Sequence, residues 1–129
     1  MLSFREAVEA QNGEAMAACL ADDVTFTSPV AFKPYEGKPI TAAILRGVLR
    51  VFTDFTYVRE IENGRDHALI FKAKVGDVSV NGCDFLRYNE DGLIEDFMVM
   101  VRPLSAANAL SEAMGAQFPQ IAAEAAAGT

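Results

Sequence analysis

"HALIFKAKVGDVSVNGCDFLRYNEDGLIEDFMVMV", residues His67–Val101, reads as three β-strands separated by Gly76-Asp77 and by "NEDG". Both interruptions have the composition of hairpin turns, and the flanking residues alternate between apolar and polar. A fourth strand, "FTYVREIE", precedes it across Asn63-Gly64. The second half of the chain is therefore expected to be an antiparallel meander. Within it stands an oddity: Asp84 occupies a mid-strand position whose alternate neighbours are apolar.

The turns allow the pairing to be worked out. A two-residue turn at Gly76-Asp77 puts Val75 opposite Val78, Leu69 opposite Asp84 and His67 opposite Leu86. A two-residue turn at Glu90-Asp91 puts Tyr88 opposite Leu93, Asp84 opposite Phe97, Gly82 opposite Val99 and Val80 opposite Val101. Because side chains alternate with period two, one face then collects His67, Leu69, Phe71, Ala73, Val78, Val80, Gly82, Asp84, Leu86, Phe97, Val99 and Val101. The other face holds Lys72, Lys74, Asn81 and Arg87 with Ile70, Phe85, Ile94, Met98 and Met100. It is too apolar to be wholly solvated, and a homodimer contact through this outer face is expected. In the first strand a three-residue loop would turn Phe55, Tyr57, Arg59 and Ile61 inward, and a two-residue loop Glu60 and Glu62. Apolarity favours the first.

The first half of the chain has helical rhythm. Phe4, Ala7, Val8 and Gln11 share a face before Asn12-Gly13 breaks the helix, and "EAMAACLADD" predicts a second short one. "VTFTSP", Val24–Pro29, alternates as a strand, and "VAFKPYEGKP" reads as a loop. Ile40, Ala43, Ile44, Gly47, Val48, Val51 and Phe52 then mark a long amphipathic helix. After Pro103, Leu104, Ala107, Leu110, Met114 and Phe118 lie near one side of a last helix, followed by an Ala-rich tail. One domain over residues 1–118 with a mobile tail at 119–129 is expected. The fold class is α+β: a curved, cone-shaped antiparallel sheet with the N-terminal helices packed on its concave face.

The chain has 129 residues and a net charge of −7, which argues against nucleic acid or an anionic membrane surface as partner. No apolar run approaches the roughly 18 residues of a membrane span, and "MLSFREAVEAQ" is not a signal peptide, so a cytoplasmic location is expected. Cys19 and Cys83 match no metal-binding spacing, and one histidine with scattered carboxylates makes no metal constellation. No cofactor is implied.

The element order, with "GEAMAACLADDVTFTSP" at 13–29, Gly37 before the long helix and "CDFLRYNEDGLIEDF" at 83–97, resembles the nuclear transport factor 2-like superfamily. More narrowly it is similar to the SnoaL-like polyketide cyclase and ketosteroid isomerase branch. The resemblance covers the chain to about residue 102 and is more specific for fold than for function. It implies a small apolar or aromatic organic ligand in an apolar pocket and proton transfer beside a carbonyl. Asp84 stands where ketosteroid isomerases keep a protonated aspartate that donates to the developing oxyanion, a system that serves as a standard example of a neutral buried acid. The isomerase's oxyanion tyrosine corresponds to Phe4 and its general-base aspartate to Ser28, so that catalytic set is incomplete. The His-Trp pair frequent after the turn in the cyclases is Phe97-Met98 here.

Asp84 is the foremost catalytic candidate, since burial in an apolar cone raises a carboxyl pKa. His67, one diagonal step away on the same face, is its candidate partner. Ser28, Phe32, Tyr35, Tyr57, Leu69, Phe97, Val99 and Val101 are the candidate ligand-binding residues. The competing reading is a ligand-binding or association domain without catalysis, in which Asp84 is structural.

Overall fold

The computed structural model describes residues 1–128, and its order is helix, helix, two strands, helix, four strands, helix. Helix α1 (Phe4–Glu9) starts at a capping box in which Ser3 and Glu6 each bond the other's backbone N–H, at 3.1 and 2.9 Å. Helix α2 (Gly13–Ala18) is capped by Asn12. Strands β1 (Leu20–Thr27) and β2 (Tyr35–Glu36) lead to helix α3 (Lys38–Val51), and strands β3 (Thr53–Asn63), β4 (Asp66–Val75), β5 (Val78–Tyr88) and β6 (Ile94–Arg102) follow. Helix α4 (Leu104–Ala127) ends the chain. The sheet runs β2-β1-β6-β5-β4-β3, curved and unclosed, with β1 parallel to β6 and the other neighbours antiparallel. The expected α+β class is the observed one, and the sheet is mixed rather than wholly antiparallel.

Local expectations gave way where tertiary pairing competes. Leu20–Asp23, expected as the end of the second helix, belongs to β1, because Ile94 N–H bonds Cys19 O at 2.8 Å and draws the chain onto β6. Tyr35–Glu36, expected as loop, pairs with Phe26 and Thr25. Residues 119–127, expected beyond the domain boundary at 118 as a tail, continue α4, and Thr129 lies outside the described residues. Ile121 there is fully buried and packs where Gly47 of α3 has no side chain; a Cβ at 47 would come within 2.8 Å of it. Glu124 bridges Arg46 at 3.0 Å and Arg50 at 2.9 Å.

The β4–β5 register is as expected, with Leu69 opposite Asp84. The β5–β6 register is not: Asp84 faces Val99, Gly82 faces Val101, and Phe97 faces Leu86. The turn holds three residues, 90–92, closed by Asn89 N–H to Leu93 O at 2.7 Å, with Gly92 at φ 77°. A bulge between Arg87 and Tyr88, where Glu95 is the extra residue, then restores the parity. Phe97, Val99 and Val101 keep their inward face, whereas Ile94, expected outside, is turned inward and fully buried. The β3–β4 loop is the two-residue Gly64-Arg65, so Glu60 and Glu62 stand with Leu69 and His67, and Arg59 and Ile61 point outward. A shift between Tyr57 and Arg59 turns Tyr57 back inward opposite Phe71.

All four helices contribute residues to the covered face of the sheet, where α3 and α4 lie against each other. Among the described residues, no helix is long and apolar enough to cross a membrane.

Candidate functional site

Between the inner sheet face and the helices lies a cavity of about 270 Å³. Nine of the twelve aromatic side chains line it, so its walls are largely rings. Gly82 makes one wall possible. A Cβ there would run into the Phe71 ring, so the bare backbone lets that ring lie across β5. Phe71 stacks on Phe55 at 4.8 Å, and Phe55 meets Tyr57 edge-on at 4.9 Å. Across the cavity Phe4 and Phe26 pack on Phe97 at 5.2 and 5.3 Å.

Asp84 enters this apolar space from β5. It is 7% exposed, and the Tyr57 hydroxyl donates to its Oδ2 at 2.7 Å. Its other oxygen, Oδ1, has no hydrogen-bond partner among the described residues, and the residue lines the cavity. Burial pushes the carboxyl up to about 7, and the bond from Tyr57 pulls the other way. The phenol of Tyr57 is raised in turn, first by burial and then by the Asp84 charge. The Arg5 guanidinium sits over the Tyr57 ring, 5.7 Å from its centre, and is held by Glu60 at 3.1 Å and Glu9 at 3.4 Å. Asp84 is thus a carboxyl poised near neutrality, one oxygen fixed by a phenol and the other open to a ligand.

Of the other sequence candidates, Ser28, Tyr35, Tyr57, Phe97 and Val99 line the same cavity. Ser28 Oγ accepts from Val30 N–H at 3.1 Å. Phe32 is fully exposed at the tip of the β1–β2 loop, and Val101 is half-buried against the core without reaching the cavity. Leu69 and His67 line a second recess with Arg5, Glu60, Glu62 and Tyr88. There His67 packs on the Tyr88 ring at 4.7 Å, and its Nδ1 lies 3.8 Å from Glu62. The structure therefore does not bring His67 to Asp84. The partner of Asp84 is Tyr57, which faces inward as expected, though by way of a bulge rather than the expected three-residue loop. In the wall from α4, Leu110, Met114 and Phe118 were signalled only by their helical spacing, and Ser111 and Gly115 beside them were not signalled. Among the described residues, no group of three His, Cys, Asp or Glu could hold a metal ion.

The family model described as the SnoaL-like domain matches residues 2–97. Among solved structures, the chain is similar to a steroid delta-isomerase from Pseudomonas aeruginosa at 39% identity and a TM-score of 0.88, over 93% of this chain and 89% of that one. It is equally similar in sequence, at 39%, to an uncharacterized bacterial protein with a cystatin-like fold from Silicibacter pomeroyi, with a TM-score of 0.85 over 88% and 81% of the two chains. A putative ketosteroid isomerase from Kribbella flavida shares the fold at 19% identity and a TM-score of 0.65, over 78% and 73%. A search of the curated proteins found no match.

Proposed function

Since this chain belongs to the SnoaL-like domain family, we infer that its cavity binds a small uncharged organic molecule and that Asp84 exchanges a proton with that molecule's carbonyl oxygen. The observation that carries this reading is the Tyr57–Asp84 pair at 2.7 Å inside an aromatic cavity. A protonated Asp84 offers its Oδ1 hydrogen to a carbonyl oxygen as negative charge grows there during enolisation. The carboxylate left behind keeps the Tyr57 hydrogen bond, so the charge is not stranded in an apolar site. The α-carbon proton leaves to a base, for which the cavity offers the Glu9 carboxylate, and its return at the γ-carbon while the oxygen-bound proton goes back to Asp84 completes a double-bond shift. The 39% identity to a steroid delta-isomerase supports this class of chemistry. The other carboxylate lining the cavity is Glu9, which is largely exposed and held by Arg5.

A second reading, binding without turnover, is favoured by one observation: Ser28 brings a hydroxyl, not a carboxylate, to the cavity wall. Double-bond migration in a β,γ-unsaturated cyclic ketone, followed by ultraviolet absorbance of the conjugated product, separates the two. Turnover that falls by about a hundredfold or more in Asp84→Asn supports catalysis. Binding of the ketone with no turnover in the wild type assigns the protein to the second reading.

We also propose that the outer sheet face joins two copies of the chain. Phe85 and Met100 are 37% and 53% exposed there, beside half-buried Ile70 and Met98. Light scattering on a sized sample tests this, and a monomer at micromolar concentration would overturn it.

A further inference from the structure

The cavity holds two polar groups whose spacing follows from the sheet. Ser28 directly follows Thr27, the β1 partner of Met98, and so stands beside Val99, the residue opposite Asp84. Ser28, one residue past the end of β1, and Asp84 therefore rise from one level of the sheet, their backbones two strand spacings or about 10 Å apart, and both line the cavity.

Their hydrogen-bonding states are alike. The Ser28 hydroxyl oxygen accepts from Val30 N–H, and its own hydrogen meets no acceptor among the described residues. Asp84 accepts from Tyr57 on Oδ2, and its Oδ1 faces the cavity without a partner. Each group therefore has a hydrogen to give, Asp84 in its neutral form, and between them lie rings. Two hydrogen bonds of about 2.8 Å and the span of about 5 Å across a six-membered ring with an oxygen at each end come to about 10–11 Å, comparable to the spacing of the two backbone positions from which the side chains rise.

We propose that the cavity selects an uncharged six-membered ring bearing two acceptor oxygens at opposite ends, one held by Asp84 and the other by Ser28. This rests on the reading of the cavity as a small-molecule site and names the class of molecule it takes. Ser28 is then a specificity residue, and its hydroxyl has a use that the lost carboxylate position leaves unexplained.

Isophorone and ketoisophorone test it. They share one carbon skeleton and differ by a single carbonyl placed across the ring from the first. The dione is the more hydrophilic, so burial in an apolar space alone would disfavour it. NMR titration of the wild-type protein should show ketoisophorone binding about fivefold or more tightly than isophorone, as expected for one added hydrogen bond. Ser28→Ala should bring the two to equal affinity, and Ser28→Thr, which keeps the hydroxyl, should retain the preference. Equal affinities in the wild type, or a preference that survives in Ser28→Ala, overturn the proposal and leave the cavity reading standing. Failure of both rings to bind the wild type overturns both.

Discussion

Asp84 and His67 stand on one face of one sheet, on neighbouring strands, yet they occupy different chemical worlds. Leu69 lies opposite Asp84 and Leu86 opposite His67, so alternation alone cannot tell the two positions apart. What tells them apart is the cover. Over Asp84 lie rings from α1, α4, the end of α3 and the neighbouring strands, and burial lifts the carboxyl to about 7. Over His67 lie Ser3 and Arg5 from the start of α1, with Glu60 and Glu62 brought in by the two-residue Gly64-Arg65 turn. Phe4 and Leu69 form the divide: Phe4 borders both spaces, and Leu69 is 3% exposed. The face of a strand is set by parity, but the dielectric a side chain meets is set by whatever folds over it.

The largest break in that contrast comes from removing the Asp84 charge. Its folded-state value, about 7, lies above the ordinary 3.8. The contribution favouring the fold is therefore fully present below about 3.8 and lost as pH rises through about 7. The loss is on the order of 4 kcal/mol, by the conversion of about 1.4 kcal/mol for each pH unit. Asp84→Asn removes this dependence. Urea unfolding should find the two proteins close in stability at low pH, with the asparagine variant gaining on the wild type as pH rises from about 4 to about 7 and keeping a constant lead above that. Parallel stability curves for the two would contradict the apolar character assigned to this space.

A smaller effect sharpens the same contrast from the other partner. Tyr57→Phe deletes the one bond that lowers the Asp84 value and leaves a buried oxygen unpaired. A destabilisation of about 1–3 kcal/mol is expected above neutral pH, where Asp84 is charged. The Asp84 midpoint, followed by carbon-13 NMR of its carboxyl, should move upward from the wild-type value. A midpoint that falls or stays would show that the phenol does not act on the carboxyl.

How far these environments were legible depends on where the chain departs from simple alternation. The β4–β5 pairing follows residue by residue from Gly76-Asp77, because a two-residue turn fixes its register at once. Beyond β5, the three-residue turn and the Glu95 bulge each shift the ladder by one. Their sum is even, so Phe97 and Val99 face inward as the pattern says, with partners displaced by two. Ile94, lying before the bulge, is the residue left on the other face. The shift at Val58 likewise gives Tyr57 and Arg59 opposite facings, and no alternation of apolar residues marks it. Asp84 was legible because its strand is regular; Tyr57 was expected inward and is inward, but through a bulge rather than a three-residue loop, and its bond to Asp84 was not legible. The end of α4 was hidden for another reason. Its alanines carry little local signal, and what holds it is distant: Gly47 under Ile121, with Arg46 and Arg50 on Glu124.

The smallest expected effect belongs to the second recess, and its smallness is what the comparison demands. His67→Gln keeps an amide of similar length beside Glu62 and gives up the ring contact with Tyr88. The contact with Glu62 that it alters is long, 3.8 Å, and the Glu62 side chain is 56% exposed, so water already screens it. Stability should change by no more than about 0.5 kcal/mol, and turnover or ligand affinity at Asp84 by less than about twofold. The Asp84 midpoint should also hold, since Leu69 and the Phe4 ring lie between the two spaces. A shift of that midpoint in His67→Gln, read by the same carboxyl signal, would mean that the recesses communicate. The path would then run through Glu60 and Arg5 to the Tyr57 ring, a chain of contacts that joins the two.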